Sequence, residues 1–333
     1  MEVNHMKRML SGIKPTGQLH LGNYIGALRH FVESQDEYEM IAFIANLHCI
    51  TVPQDPEELQ KNLKDCVALY LACGLDPEKS TIFLQTDVKE HAQLGFIICC
   101  HTYLGELNRM TQFKDKQAKG EKNLSGGLYT YPTLMAADIL IYDPDYVPVG
   151  EDQKQHVELC RDVAIRMNNR YGKLFRIPEP AVPKVGARIM SLSDPSKKMS
   201  KSDGTDKGCI YLLDPLPKAR KKVMSAVTDS IGKVHFDPEN QPGVSNLMQI
   251  MSSLTGKSLE DIEKEFEGKG YGDFKRAVAD SVCSTLETIQ TRYNEIVSSD
   301  LIEKTLKEGA EKASAYASVK LKQVQQAIGM EIR

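Results

Sequence analysis

Apolar residues in the first part of the chain fall into short continuous runs, separated by stretches in which they recur every three or four positions. The first run, residues 9–13, is closed by Lys14-Pro15-Thr16-Gly17, a cluster of turn formers. From His20 onward, Ile25, Leu28 and Val32 keep helical spacing. Residues 39–45 are almost continuously apolar, as in a strand covered on both faces. Asp55-Pro56 offers a capping carboxylate followed by proline at the first helical position. The helix it predicts carries Leu59, Leu63, Val67 and Tyr70 on one stripe and stops at Gly74. Residues 80–85 form the next strand-like run. This alternation predicts an α/β fold with a doubly wound, Rossmann-like parallel sheet and right-handed crossovers. Ligands of such sheets lie at the carboxyl ends of the strands, so residues 15–22, 46–51 and 147–153 are expected to line one cleft.

Beyond Asp203 the pattern turns helical. Helices are expected at 214–228, 245–254, 258–267, 273–298 and 301–328. The fourth has Phe274, Val278, Val282, Leu286, Ile289 and Tyr293 on one stripe. An α-helical domain therefore follows the α/β domain, with no internal repeat.

Composition narrows the classes without choosing one. The chain has 333 residues, with 42 Lys and Arg against 45 Asp and Glu and a net charge of −3. A general nucleic-acid coat would be strongly basic, so a nucleic-acid partner would have to meet a local basic face. No run of about 18 apolar residues exists to span a membrane. Residues 1–10 lack the apolar core of a secretory leader, and the eight cysteines include no C-x-x-C pair. Reduced thiols, a cytoplasmic location and no zinc or iron–sulfur site are the expectation. Histidines 5, 30, 91, 101, 156 and 235 have no ligand spacing and read as surface or core residues. Lys218, Arg220, Lys221 and Lys222 read as a solvated helix face.

Two segments carry chemistry. Pro15-Thr16-Gly17-Gln18-Leu19-His20-Leu21-Gly22-Asn23 follows the first strand and opens a helix. Gly22 permits close approach of a ligand to the backbone, the helix start favours phosphate oxygens, and His20 and Asn23 add side-chain donors. Lys198-Met199-Ser200-Lys201-Ser202 places two lysines three apart on a loop. That arrangement suits a cationic clamp neutralising charge that develops on a leaving pyrophosphate.

In this order the two segments resemble the signatures of the class I aminoacyl-tRNA synthetases, with Asn23 where the first signature usually ends in histidine. Ser11-Gly12-Ile13 with Pro15, and Tyr131-Pro132 followed by Leu134-Met135-Ala136-Ala137-Asp138, resemble the bacterial-type tryptophanyl branch of that family. So do Val147-Pro148-Val149-Gly150-Glu151-Asp152-Gln153 and Gly186-Ala187-Arg188-Ile189-Met190. The resemblance covers essentially the whole chain, including residues 268–274 and 308–310. It implies a catalytic domain over 7–194, the KMSKS loop at 195–207 and a helical anticodon-binding domain over 208–298. A C-terminal helix, 299–333, would pack back toward the catalytic domain. It also implies activation of L-tryptophan by ATP, with Mg²⁺ carried on the phosphates, transfer to tRNA(Trp), and a homodimer. The apolar stretch around residues 99–107 is the candidate interface.

The same resemblance assigns His20, Asn23, Lys198 and Lys201 to catalysis. Lys14, Pro15, Thr16, Gly22, Asn23, Gly150, Glu151, Asp152 and Ile189 fall to the nucleotide, together with Lys198, Met199, Ser200, Lys201 and Ser202. Lys14 stands where the family often has glutamine. Either Lys114 or Lys116 would meet the triphosphate tail. Tyr131, Gln153 and His48 fall to the amino acid, with Met135 and Asp138. These last two stand three apart and share a helix face. An indole N–H only donates, so its pocket needs a buried acceptor, which Asp138 can be; Met135 offers a polarisable wall. Three alternatives stay open: tyrosine activation on the same scaffold, an H-x-G-H-type nucleotidyltransferase, and a non-catalytic paralogue that binds tryptophan or RNA. Met135 weighs against the first, because the tyrosine enzymes typically carry glutamine there. The second lacks the lysine loop and the helical domain.

Overall fold

The computed structural model describes residues 6–15, 18–118, 120, 124–150, 153–181, 187–200 and 206–332. Strands β1 (Arg8–Ile13), β2 (Glu39–Ile44), β3 (Ser80–Leu84), β4 (Tyr146–Pro148) and β5 (Glu179–Ala181) form one parallel sheet in the order β3-β2-β1-β4-β5. The apolar runs of the first three strands are explained by burial on both faces. In β2 every residue after Glu39 is buried. Strands β4 and β5 have no counterpart in the hydrophobic pattern: each is three residues long and contains a proline, too short for a period to show. They set the topology, because the strand order reverses between β1 and β4. A crevice opens at such a switch point, beyond the carboxyl ends of the strands.

The helix after β1, α1, is not the uniform α-helix that its spacing predicts. It opens at Leu21–Asn23, widens to a π turn over Tyr24–Leu28 and resumes over Arg29–Glu33. Helix α2 (Pro56–Ala72) starts where the sequence places it, with the Asp55 carboxylate accepting from the Glu58 amide at 2.9 Å. Helices α3 (Glu90–Cys100), α4 (Gly126–Leu140) and α5 (Lys154–Tyr171) complete the α/β part. The helical part contains α6 (Leu216–Met224), α7 (Pro242–Thr255), α8 (Tyr271–Val297) and α9 (Leu301–Ala327), with a short helix at Leu259–Glu265. Helix α6 is shorter than expected, and α7 begins three residues earlier, with proline at its first position.

The sheet separates two hydrophobic cores. One joins Ile13, α1 and α2 to α6, α7 and α8, and includes Ile189 and Met199. The other joins β2 and β3 to α3, α4, α5 and α9. Helix α9 lies directly on β3: a Cβ on Gly309 would stand 1.8 Å from the Ile82 carbonyl oxygen. The reading of residues 218–222 as a solvated face needs correction at Lys222. Its ammonium is buried and donates to Asp206 at 2.9 Å, to Asp214 at 2.7 Å and to the Cys209 carbonyl at 2.7 Å. Lys222 points toward the segment 206–214 that precedes α6, and the two carboxylates there compensate the charge. Among the described residues no helix is long and apolar enough to cross a membrane.

Candidate active site

A cleft of about 420 Å³ opens at the carboxyl ends of β1, β2 and β4. Its walls include Gly12 and Lys14 from the end of β1, His48 and Thr51 beyond β2, and Pro148, Val149, Gly150 and Gln153 beyond β4. Helix α4 contributes Tyr131, Met135 and Asp138, spaced four and three apart and so on one face. Lys116, in the helix Thr111–Ala118, also reaches the cleft. The cleft therefore brings together all five residues expected to bind the amino acid, with Lys14 and Gly150.

Asp138 is the electrostatic centre of this cleft. Its side chain is buried, yet three donors converge on it at 2.7 Å: His48 Nε2 on Oδ2, and Gln85 Nε2 and His91 Nδ1 on Oδ1. Burial alone pulls its pKa upward. The hydrogen bonds and charges of His48 and His91 outweigh that effect and leave the carboxyl lowered to about 2. Gln85 is itself oriented, because its carbonyl oxygen accepts from the Leu47 amide at 3.1 Å. A carboxylate offers about four lone-pair sites. Three are filled, so Oδ2, on the His48 side, keeps one acceptor position. A turn-capping role for Asp138 is excluded by this burial and these partners.

Tyr131 meets His156 Nε2 through its hydroxyl at 2.5 Å, and His156 is fully buried. The ring of Tyr131 stands edge-on to that of His48, 6.2 Å between centroids. Gln85, His91, Tyr142 and His156 are thus part of the site, though the sequence marks none of them. The one available signal was a polar pair, Glu90-His91, at the start of the otherwise apolar segment 94–100.

Among the described residues assigned to the nucleotide, Lys14 and Gly150 line this cleft, while others lie at the start of α1 and over 189–200. His20 caps α1: its Nδ1 accepts from the Asn23 amide and the Asn23 side chain accepts from the His20 amide, both at 3.2 Å. In the neutral ring the proton is then on Nε2, which makes that nitrogen a donor. The two signature segments lie against each other, a Cβ on Gly22 standing 3.4 Å from Met199 Cβ, and the first also pairs with the chain beyond the second. His20 forms an antiparallel bridge with Tyr211, and Leu21 donates to the Ile210 carbonyl at 2.8 Å. Met199, buried, donates to the Ile189 carbonyl at 3.0 Å, and Lys198 bridges Met190. Asn246 of α7 grips Met190 through both its amide and carbonyl, at 2.8 and 3.0 Å. Pro15 is buried next to this junction in sequence. Lys114, in the same helix as Lys116, is not among the cleft walls. Thr16, Glu151, Asp152, Lys201 and Ser202 lie outside the described residues.

Residues 2–287 match the family model of tRNA synthetases class I (W and Y). A tryptophan–tRNA ligase of Oceanobacillus iheyensis is 54% identical over 98% of this chain and 99% of its own length. The crystal structure of tryptophanyl-tRNA synthetase from Mycoplasma pneumoniae superposes with a TM-score of 0.84 at 40% identity, over 97% of this chain and 98% of that one. The Campylobacter jejuni enzyme, solved with ADP and tryptophan, gives 0.85 at 38% identity, over 97% and 99%. With the buried acceptor, the apolar methionine wall and the two joined signatures in place, the chain belongs to the class I tRNA synthetases of the W and Y group, on the branch of the bacterial tryptophan–tRNA ligases.

Proposed function

We propose that the cleft binds L-tryptophan against Asp138 and Met135 and activates it with ATP. The tryptophan carboxylate attacks the α-phosphate in line, forming tryptophanyl-adenylate and releasing pyrophosphate. A terminal ribose hydroxyl of tRNA(Trp) then attacks the adenylate carbonyl, forming the ester and releasing AMP. The observation that carries this reading is the single acceptor position left on the charged, buried Asp138. A donor-only heterocycle N–H fits that position, and a site built on a buried hydrogen bond rejects ligands that lack the donor.

The protein supplies no nucleophile; positioning and electrostatics carry the reaction. His20 and Asn23, with Lys198 and Lys201, stabilise charge developing on the phosphates, and Mg²⁺ arrives on the ATP. Lys14, Pro15, Thr16, Gly22, Gly150, Glu151, Asp152, Ile189, Met199, Ser200 and Ser202 surround the nucleotide. Tyr131, Gln153 and His48 hold the amino acid, Tyr131 through an ammonium contact. The helical domain meets the anticodon of tRNA(Trp), and the enzyme works in the cytoplasm. Two copies pair through the apolar surface on α3 and just beyond it, where Phe96, Tyr103 and Leu104 are 72%, 63% and 70% exposed; patches of this kind mark interfaces.

The test is aminoacylation of a tRNA(Trp) transcript with labelled tryptophan. Accumulation of tryptophanyl-tRNA supports the proposal. Adenylate formation without transfer would limit the chain to the activation half.

A further inference from the structure

Gln85, His91 and His48 do not act on Asp138 equivalently. Gln85 and His91 both address Oδ1, from the interior, whereas His48 addresses Oδ2 from the cleft wall. With two donors on it, Oδ1 has no lone pair left, so Oδ2 alone remains for a ligand. His91 is fully buried and occupied at both ring nitrogens: Nδ1 meets Asp138 at 2.7 Å and Nε2 meets the Tyr142 hydroxyl at 2.7 Å. Asp138, being ionised, can only accept, so Nδ1 carries a proton. Burial, reinforced by the nearby Asp138 and Glu90 carboxylates, pushes the Tyr142 phenol up and keeps it protonated. Its hydroxyl hydrogen-bonds to Nε2 at 2.7 Å, so both ring nitrogens are engaged. The result is a continuous hydrogen-bonded chain, Tyr142–His91–Asp138, in which each bond polarises the next. The rings of Phe43, Phe83 and Tyr142 stand 5.5, 5.8 and 5.4 Å from that of His91 and hold its orientation.

We propose that His91 is a specificity-setting positioning residue. By filling Oδ1 from below the floor of the cleft, it fixes the plane of the Asp138 carboxylate and leaves Oδ2 as the sole acceptor for the heterocycle N–H of the substrate. His91 does not touch the amino acid; it acts through Asp138. Without it, Oδ1 keeps an unfilled lone pair in an apolar interior, which costs free energy that rotation or protonation of the carboxyl relieves. Either response spoils the acceptor at Oδ2.

This inference rests on the proposed tryptophan activation, and the test separates the two. ATP–pyrophosphate exchange is measured with tryptophan and with its benzothienyl analogue, in which sulfur replaces the N–H. The readout is the ratio of kcat/KM for the two amino acids. His91→Gln places its amide toward Tyr142 and removes the donor to Asp138; His91→Asn places its amide near the position of Nδ1 and retains it. The ratio is expected to fall about tenfold or more in His91→Gln, the scale of one hydrogen bond to a charged group, and to stay close to wild type in His91→Asn. KM for ATP is expected to hold in both variants. An unchanged ratio in His91→Gln, or equal losses in the two variants, would make His91 a packing residue and overturn the inference. Absence of exchange by the wild-type protein with tryptophan would instead overturn the functional reading beneath it.

Discussion

The Leu21 amide donates to the Ile210 carbonyl at 2.8 Å, and this bond ties the start of α1 to the chain returning from the lysine loop. Gly22 is the next residue. A Cβ there would stand 3.1 Å from His20 Nδ1 and 3.4 Å from Met199 Cβ, tight on the side of the histidine. Gly22→Ala is therefore expected to displace His20 from its bond with the Asn23 amide. Misplacement of a catalytic group on the ångström scale costs roughly a hundredfold in rate. Pre-steady-state adenylate formation should slow by up to that factor, with the tryptophan Kd preserved, because the tryptophan cleft is lined by other residues. Parallel loss of tryptophan affinity would contradict the separation of the two clusters.

Asp138→Asn tests the floor of the amino-acid cleft. Asparagine offers one acceptor oxygen and two N–H donors, so at least one of the His48, Gln85 and His91 donors would face another donor. The expected result is a loss of roughly a hundredfold in kcat/KM for tryptophan, with KM for ATP little changed. Equal losses for both substrates would remove Asp138 from the amino-acid site.

The charge of Asp138 also makes a pH prediction. Its pKa is lowered to about 2, so the stability contributed by the charged form is complete above the ordinary carboxylate value of 3.8 and is lost as pH falls through about 2. The ¹³Cγ resonance of Asp138, assigned by its disappearance in Asp138→Asn, should stay at the carboxylate position from neutral pH down to pH 4. Titration of that resonance between pH 5 and pH 7 would mean that the histidine donors do not hold the carboxyl ionised.

Gly309→Ala probes the seam between α9 and the sheet. The added methyl would sit 1.8 Å from the Ile82 carbonyl oxygen and 2.6 Å from its carbonyl carbon, and backbone cannot yield as a side chain does. Overpacking of this kind costs about 1–3 kcal/mol, to be read as a lower urea midpoint. Stability equal to wild type would show that α9 does not press on β3.

Lys222→Met would leave the buried Asp214 with only the half-exposed Lys218, 3.2 Å away, as its cation. Removing one partner of a buried pair costs about 3–5 kcal/mol; the Asp206 end is half exposed, so the lower figure is expected in thermal unfolding at neutral pH. A variant as stable as wild type would show that the pair contributes nothing net.

The sequence revealed most of the α/β frame because its first three strands are apolar on both faces and because Asp55-Pro56 marks a helix start without tertiary context. It could not show β4 and β5, whose three residues carry no period, nor the π turn in α1, whose apolar spacing reads as ordinary helix. Tyr131, Met135 and Asp138 were legible as a group because the family resemblance marks all three, and Met135 and Asp138 share one helix face; the structure lines one cleft with them. Their supports were not legible. His91 and Gln85 stand 47 and 53 positions from Asp138, and a lone histidine in an apolar segment reads as core until its partner is known. Lys222 was misread for the same reason: the carboxylates that permit its burial come from a neighbouring loop, not from its own helix.

The most direct test of the account is amino-acid-dependent ATP–pyrophosphate exchange, with tryptophan and tyrosine run in parallel on the wild-type protein. Exchange with tryptophan and none above background with tyrosine is the predicted result. Exchange driven by tyrosine would keep the fold and the phosphate chemistry but contradict the reading of Met135 and Asp138, and silence with both would contradict the proposed activation itself.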